Sequence, residues 1–270
     1  MKSATRLCAS SECLAQTPSR HMVDVRLLDV RIDSIDRGGL EQLLFSNARD
    51  GQARMYQYVN VHAVNLARKD QRFRGIINSA TVTYCDGEGV RVGARLLGRR
   101  LPPRTVLTYW VWDLCRLMEE RGVSVYFLGG RQAVVDRAVS TLQRRYPKLK
   151  IAGWHHGYFQ KHGAESLAVL DEINRASPDI LFVGFGMPIQ EYWISENLSS
   201  LSAGIVLPAG SMIDYIAGEK KPAPPWMANH GLEWFYRFMH EPRRLWKRYL
   251  IGNPLFLIRI IGRRLRSGGL

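Results

Sequence analysis

Hydrophobic runs rich in β-branched and aromatic residues recur along the chain, separated by segments in which apolar positions have helical spacing. Continuous or alternating apolar runs of this length predict strands, whereas apolar positions three or four apart predict amphipathic helices. The runs predicted to form strands, some with the turn that follows, are residues 23–34, 55–61, 81–89, 123–130, 148–154, 179–186 and 204–211. The first of them alternates apolar with polar residues, which favours a half-exposed strand or a hairpin edge.

The spacing of these runs also indicates how the strands are connected. Strands that alternate with helices are typically joined by right-handed crossovers, and such crossovers build a parallel sheet. We therefore predict an α/β fold with a Rossmann-like, mostly parallel sheet that carries helices on both faces. Residues 23–218 form the predicted core.

Glycine turns follow three of the predicted strands, at Gly129-Gly130, Gly184-Phe185-Gly186 and Gly210. Glycine permits close approach of a phosphate, and the next helix offers free N–H groups at its N-terminus. Each turn alone is equally typical of any α/β fold, but the three together favour a nucleotide or sugar-nucleotide site. The absence of a third glycine in the dinucleotide pattern argues against the alternative of an NAD-type oxidoreductase.

The predicted strand that begins at residue 81 ends in Asp86-Gly87. An acid at the carboxyl end of a strand in an open α/β sheet lies where such sheets bind their ligands. Asp86 is therefore a candidate catalytic residue. The alternative is that Asp86 only caps the helix that follows.

The character of the chain changes after Gly218, where a proline-rich segment precedes aromatic and basic residues at helical spacing. This pattern predicts a basic, amphipathic, helical C-terminal appendage over residues 219–270 that lies on an anionic membrane without crossing it. One alternative is a terminal helix packed on the core, and another is a nucleic-acid-binding tail. The aliphatic run at 255–261 suits phosphate contact poorly, so we expect no nucleic-acid partner.

Composition adds three constraints. The 270 residues carry a net charge of +14, which indicates an anionic partner. The four cysteines, Cys8, Cys13, Cys85 and Cys115, lack metal-ligand spacing and are interpreted as reduced thiols of a cytosolic protein. Residues 1–22 have no sustained apolar core, so we predict a disordered extension there and no secretory signal.

Several motifs occur in an order that resembles the WecG/TagA/CpsF family of bacterial glycosyltransferases, over roughly residues 23–250. The motifs are Asn60, Asp86-Gly87, Gly-Phe-Gly-Met-Pro-Ile-Gln-Glu at 184–191, Ala-Gly-Ser-Met-Ile-Asp at 209–214, Gly-Leu-Glu-Trp-Phe-Tyr-Arg at 231–237, Glu241-Pro242 and Arg248-Tyr249. The resemblance implies an inverting transferase, peripheral on the cytoplasmic face of the inner membrane. It would move a sugar from a UDP donor to a polyprenyl-diphosphate-linked saccharide.

Within the family, the chain is most similar to the glucosyltransferases of xanthan-type exopolysaccharide assembly. That similarity implies transfer of glucose from UDP-glucose to a polyprenyl-diphosphate-linked glucose in a β-1,4 linkage. The alternative within the family is a UDP-N-acetylmannosamine donor, or its uronic acid, in the synthesis of another surface polysaccharide. A basic-tailed nucleic-acid-binding protein is the alternative outside the family.

The resemblance also implies roles for individual residues. Asp86 matches the catalytic base, and the substrate-binding positions match Asn60, Arg104, Gln190, Asp214, Arg237 and Arg244. Arg104 would neutralise a diphosphate, and the two later arginines would act from an appendage that closes over the pocket. A third appendage arginine falls at either Lys247 or Arg248.

Two positions depart from the family pattern. Leu107-Thr108-Tyr109 stands where relatives usually have Gly-x-Asp, which indicates a different sugar preference, and Tyr58 replaces a residue that often carries a small hydroxyl side chain. The chain has no Asp-x-Asp motif, so we predict catalysis without a metal or other cofactor. The isolated His62 and the adjacent His155-His156 are not interpreted as metal ligands. The sequence leaves the oligomeric state open, including a homo-oligomer.

Overall fold

A computed structural model describes residues 24–267. Within this range, a six-stranded parallel sheet has the order β4-β3-β8-β7-β5-β6. Its strands are β3 (Arg54–Val59), β4 (Val82–Cys85), β5 (Ser124–Gly129), β6 (Lys150–His155), β7 (Ile180–Gly184) and β8 (Ile205–Pro208). The prediction of a Rossmann-like, mostly parallel sheet is confirmed. The proposed disordered extension, residues 1–22, lies outside the described residues.

The first predicted strand is an antiparallel hairpin of β1 (Asp24–Leu27) and β2 (Val30–Asp33), separate from the parallel sheet. Leu28 and Asp29 both have positive φ, which makes the tight turn. The hairpin is tied to the core because the Asp33 carboxylate accepts a 2.7 Å hydrogen bond from the Thr83 N–H. The single alternating run therefore contains a turn that its pattern did not reveal. In addition, β2 is more buried than the half-exposed strand predicted there.

Helices alternate with the strands of the sheet, as the sequence pattern predicts. They are α1 (Arg37–Asn47), α2 (Val61–Lys69), α3 (Gln71–Ser79), α4 (Glu88–Leu96), α5 (Leu107–Arg121), α6 (Gln132–Arg145), α7 (Gly163–Ala176), α8 (Ile189–Asn197) and α9 (Met212–Ile216). The strand predicted at 55–61 ends at Val59, because Asn60 already caps α2. The side-chain oxygen of Asn60 accepts from the Ala63 N–H at 3.1 Å.

Alternate strand residues build an apolar layer on each face of the sheet. On one face, the rings of Phe127 and Phe182 stack with their centroids 5.5 Å apart, and they pack among α1, α5, α6 and α9. On the other face, Tyr126 and Leu181 pack with α7 and α8. The prediction of helices on both faces is therefore confirmed, and the sheet buries both of its surfaces as parallel sheets do.

The C-terminal segment is helical and packs against the core. Its elements are α10 (Pro225–Asn229), α11 (Glu233–His240), α12 (Pro242–Trp246), a π-helical turn (Lys247–Ile251) and α13 (Gly252–Ser267). Phe256 and Ile260 of α13 are fully buried against α2 and α4. Gly93 of α4 permits this contact, since a Cβ there would lie 2.5 Å from the Phe256 ring. The terminal helix thus packs on the core, as one alternative from the sequence had it.

Within residues 24–267, no helix is both long enough and apolar enough to cross a bilayer. The boundary between core and appendage at Gly218 stays a prediction. Residues 219–267 are called the appendage below.

We predict that Gly129→Ala lowers the free energy of unfolding by about 2 kcal/mol or more, because the backbones of β5 and β7 leave no room for a side chain. Gly129 has a φ of 151°, and its Cβ would lie 2.6 Å from the Gly184 carbonyl oxygen. Urea unfolding followed by circular dichroism measures the loss. Gly163→Ala is the matched control, since Gly163 has a φ of 73° but open space around it. Equal losses in both variants would contradict this account.

Candidate active site

A cleft of about 1300 Å³ runs along the carboxyl ends of β3, β4, β5, β7 and β8. From the core, Asn60 after β3, Asp86 after β4 and Gly210 after β8 line it. From the appendage, Arg237 and Arg248 line the opposite wall. This is the edge at which open α/β sheets bind ligands, so the strand-end argument located the cleft correctly.

The floor of the cleft is backbone packed on backbone. Gly129, Gly184 and Gly210 end or follow three neighbouring strands, and a side chain at Gly129 or Gly184 would collide with the neighbouring main chain. A Cβ on Gly184 would lie 2.9 Å from the Gly210 carbonyl oxygen, just as one on Gly129 would meet Gly184. The three glycine turns therefore form one continuous surface.

Gln190 joins two of these turns from below. Its Oε1 accepts hydrogen bonds from the Gly186 N–H at 3.1 Å and the Gly210 N–H at 3.0 Å. Its Nε2 donates to the Tyr58 hydroxyl at 3.1 Å and to Glu191 Oε1 at 2.9 Å. The side chain is fully buried and does not line the cleft, so its expected contact with substrate stays a prediction.

This arrangement changes the expectation that the glycine turns bind phosphate through their N–H groups. The N–H groups of Gly186 and Gly210 are already used by Gln190. Fewer main-chain donors are therefore left for a diphosphate in the cleft, and side chains that carry positive charge add to those that remain.

Asp86 and Asn60 form a hydrogen-bonded pair at the adjoining ends of β3 and β4. Asn60 Nδ2 donates to Asp86 Oδ2 at 3.2 Å, while Asn60 Oδ1 is held by the Ala63 N–H. The helix cap thus fixes which way the amide points. Because the amide must present its NH₂ group to Asp86, the carboxylate is oriented by the start of α2.

The pKa of Asp86 is raised to about 6, first because the carboxyl is buried and then because Glu233 places a second negative charge nearby. The hydrogen bond from Asn60 and the charges of Arg237 and Arg104 oppose the rise. At neutral pH the carboxyl is mostly ionised but is a stronger base than an exposed aspartate. A pKa near the operating pH is the property that general base catalysis requires.

The arginines around the cleft differ in how they are engaged. Arg104 donates to Glu233 Oε2 at 2.9 Å and to the Ala228 carbonyl at 2.8 Å. Arg237 donates to the Ser211 hydroxyl at 3.3 Å. Arg244 is exposed and forms an ion pair with Glu241 of the appendage.

Of the two positions that the sequence left open, Arg248 lines the cleft, whereas Lys247 is exposed over the Trp246 ring. The pKa of Arg248 is lowered chiefly by its burial. Among residues 24–267, neither Arg237 nor Arg248 has a carboxylate within ion-pair distance. Within the described part of the chain, two cations therefore face the cleft without a direct counterion.

The remaining predicted residue, Asp214, lines the cleft, and its Oδ2 lies 3.5 Å from Lys220 Nζ. Of the predicted residues, only Gln190 does not line the cleft. Sequence reasoning missed Lys161, whose Nζ donates at 2.7 Å to the carbonyls of Gly157 and Phe159 and also lines the cleft. Its position in the loop after β6 was a usable signal, since that loop begins at a carboxyl strand end.

Histidines offer little for metal binding. In the described part of the chain, no group of three or more His, Cys, Asp or Glu side chains is placed to hold a metal ion. The pKa of His62, in the cleft wall, is lowered to about 4 by burial and by the charge of Arg248. His155 and His156 lie against each other with ring centroids 4.3 Å apart. Metal independence stays a prediction.

Comparison with known proteins decides the family. The family model described as "Glycosyl transferase WecG/TagA/CpsF family" matches residues 25–269. The chain belongs to this family of glycosyltransferases.

Curated relatives agree with this assignment. An N-acetylglucosaminyldiphosphoundecaprenol N-acetyl-β-D-mannosaminyltransferase of Bacillus subtilis (strain 168) is 33% identical over 193 residues, which cover 71% of this chain and 73% of the relative. A protein with the same name from Staphylococcus aureus (strain MW2) is 30% identical over 201 residues, which cover 74% of this chain and 77% of the relative. Neither name specifies glucose or xanthan.

We predict that the Asp86 carboxyl titrates near pH 6 and that Asn60→Ser raises this pKa further. Serine retains the helix cap but loses the amide donor that favours the ionised form. Titration of the ¹³C-labelled carboxyl by NMR measures both values. The circular dichroism spectra of the two proteins should coincide, which controls for loss of the cap of α2. A normal aspartate pKa for Asp86 would contradict the role of burial.

Proposed function

We propose that this glycosyltransferase moves a hexosyl group from a UDP-sugar to a polyprenyl-diphosphate-linked saccharide, with inversion at the anomeric carbon. The observation that carries the proposal is the pairing of opposite chemistries across one cleft. A half-buried carboxylate with a pKa near 6 lies on the core side, and on the appendage side lie two arginines that have no direct carboxylate partner within residues 24–267. The names of the relatives, which specify a diphosphoundecaprenol-linked acceptor, support the acceptor class.

In the proposed mechanism, Asp86 accepts the proton of the acceptor hydroxyl as that oxygen attacks the anomeric carbon. The new glycosidic C–O bond forms on the face opposite UDP, and the bond from the anomeric carbon to the phosphate oxygen breaks. The electron pair leaves with UDP, whose added negative charge Arg237 and Arg248 stabilise. Asn60 keeps the carboxylate oriented by its hydrogen bond to Oδ2.

The remaining predicted residues have places in this scheme. Asp214 is proposed to accept a hydrogen bond from a ribose or sugar hydroxyl at the cleft edge, and Arg244 to attract the diphosphates from the exposed rim. Gln190 acts on substrate indirectly, through the floor that it holds together. No metal or other cofactor enters the proposal, because the arginine charges balance the diphosphate.

N-acetylmannosamine is the sugar that the relatives' names support, so UDP-N-acetylmannosamine is the first candidate donor. UDP-glucose is the second candidate, and one feature of the cleft favours it. Leu107 and Thr108 line the cleft at the position where relatives usually have Gly-x-Asp. The acid of that element is therefore absent from this chain, and Leu107 and Thr108 present apolar and hydroxyl side chains to the cleft. Transfer of glucose would connect the enzyme with xanthan-type exopolysaccharide assembly.

The proposal includes peripheral contact with the anionic cytoplasmic face of the inner membrane. The appendage exposes large apolar side chains, among them Trp226, Trp246, Ile258 and Leu265. Exposed basic residues such as Arg243 lie on the same segment. Aromatic, aliphatic and basic groups together are typical of helices that lie in the interface of an anionic bilayer. A surface of this kind would present the cleft to a lipid-linked acceptor.

Transfer of radiolabelled sugar to a short-chain polyprenyl-diphosphate-linked acceptor tests the function. We expect turnover in the presence of EDTA, and a loss of about 100-fold or more in Asp86→Asn, since the amide cannot accept the proton. In the wild type, the rate should fall about tenfold per pH unit below pH 6, because the base becomes protonated. Asp171→Asn, which makes the same chemical change at an exposed position, should retain full activity.

The donor is decided in the same assay by supplying UDP-N-acetylmannosamine and UDP-glucose separately, each with acceptors that carry N-acetylglucosamine or glucose. A preference for UDP-glucose would establish the xanthan-type assignment. Near-normal transfer by Asp86→Asn would remove Asp86 from the mechanism. Absence of transfer from every UDP-sugar in the wild type would overturn the proposed function.

For the membrane contact, we predict that the protein floats with vesicles that contain phosphatidylglycerol and much less with pure phosphatidylcholine vesicles. Ile258→Ser and Leu265→Ser together should weaken flotation, because these side chains are 66% and 72% exposed and contribute apolar area to the contact. Leu167→Ser on α7, at 59% exposure, is the matched control. Equal flotation of all variants would count against this surface.

A further inference from the structure

Arg104 holds the appendage against the core at the edge of the cleft. Its Nη1 donates to Glu233 Oε2 at 2.9 Å, and its Nη2 donates to the Ala228 carbonyl at 2.8 Å. Ala228 belongs to α10 and Glu233 to α11. One guanidinium thus contacts two successive helices of the appendage, and the ion-paired side chains are only 18% and 11% exposed.

On its other side, Arg104 is tied to the strand that leads to the candidate base. The next residue, Thr105, donates its N–H to the Cys85 carbonyl at 2.8 Å, and Cys85 is the last residue of β4. Asp86 follows directly. The loop that carries Arg104 is therefore fixed to the main chain beside Asp86.

Glu233 and Arg237 lie four residues apart on α11, so their side chains leave the same face of that helix. Anchoring Glu233 to Arg104 therefore sets both the rotation and the depth of α11. Arg237 then points into the cleft, where its guanidinium reaches the Ser211 hydroxyl after β8. Besides this anchor, Arg237 is held in place by the 3.3 Å contact with Ser211 and by the Tyr215 ring, whose centroid is 5.9 Å from the guanidinium carbon.

We propose that Arg104 is a positioning residue that docks the appendage through Glu233, and is not a ligand of the substrate diphosphate. The proposal rests on the proposed function, since the group that it positions is the arginine assigned to the leaving UDP. It replaces the role of diphosphate contact that family resemblance implies for Arg104.

The cost of the alternative supports this assignment. For Arg104 to grip a diphosphate with both of its Nη atoms, it would have to leave Glu233, whose carboxylate is largely buried beside Asp86. A buried charge that loses its partner is strongly destabilising. Arg237 and Arg248 line the same cleft without a direct carboxylate partner among the described residues, so they meet the diphosphate without that cost.

The test compares Arg104→Gln, Glu233→Gln and the double variant of the full-length chain. Three quantities are measured: kcat/KM for sugar transfer, UDP affinity by calorimetry, and the rate at which trypsin releases the appendage. Docking predicts that each single variant lowers kcat/KM about tenfold or more, and that the double variant is no worse than the poorer single one, since both remove the same contact. UDP affinity should fall in both single variants, and trypsin should release the appendage faster in all three.

If Arg104 instead binds the diphosphate, we expect the UDP affinity of Glu233→Gln to change in a different direction. Glu233→Gln would then free Arg104 and leave UDP affinity unchanged or tighter, while Arg104→Gln alone would weaken it, and the two effects on kcat/KM would not coincide. That result would overturn the proposal, as would unchanged release of the appendage by trypsin. The exposed pair Arg116 and Glu120 on α5, changed to glutamine in the same way, is the control for loss of a surface ion pair.

Conservative variants and a measurement that needs no substrate complete the test. If the glutamine variants do not fold, as judged by circular dichroism, Arg104→Lys and Glu233→Asp shorten or weaken the same contact and should give intermediate rates of tryptic release. If the wild type transfers no sugar, the proposed function fails. The trypsin measurement still decides whether Arg104 docks the appendage, because it needs no substrate.

Discussion

The site depends on close contact between main chains at the carboxyl ends of β5, β7 and β8. This contact is possible only because glycine stands at each meeting point, and it is closed from below by the amide of Gln190. A floor built in this way is rigid, since main-chain atoms cannot change rotamer. It also uses up N–H groups that a phosphate might otherwise bind. The positive charge that balances a diphosphate must therefore come from elsewhere, and the appendage is where the arginines are.

Core and appendage consequently supply complementary parts of the chemistry. The core contributes the carboxylate of Asp86, oriented by Asn60. The appendage contributes Arg237 and Arg248, and also Glu233, whose charge raises the pKa of Asp86. Because the acid and the cations come from different segments, their spacing depends on how those segments dock. The buried ion pair between Arg104 and Glu233 lies at that junction.

The sequence predicted the parts of this arrangement that follow from local pattern and from sheet geometry. Parallel strands end at one edge of the sheet, and Asp86, at the end of a predicted strand, lines the cleft at that edge. A local pattern does not reveal which residue becomes the partner of a side chain when the two are distant in sequence. Arg104 and Glu233 are separated by 129 residues, and nothing near either one indicates the other. For the same reason, the burial of Phe256 on α4 could not be read from the amphipathic pattern of α13, which predicts an apolar face but not what covers it.

Gln190 shows a different limit of sequence reasoning, and its neighbour explains it. The family resemblance implies that Gln190 contacts substrate, yet this amide faces inward because its carbonyl accepts from Gly186 and Gly210. Its NH₂ group then needs acceptors below the floor, and Glu191 supplies one while remaining fully buried. Burial raises the pKa of Glu191 to about 7, so the acid is kept there at a cost in free energy. The Gln-Glu pair of the motif therefore acts as one unit that orients the amide, and the two residues serve the substrate by shaping the surface on which it lies.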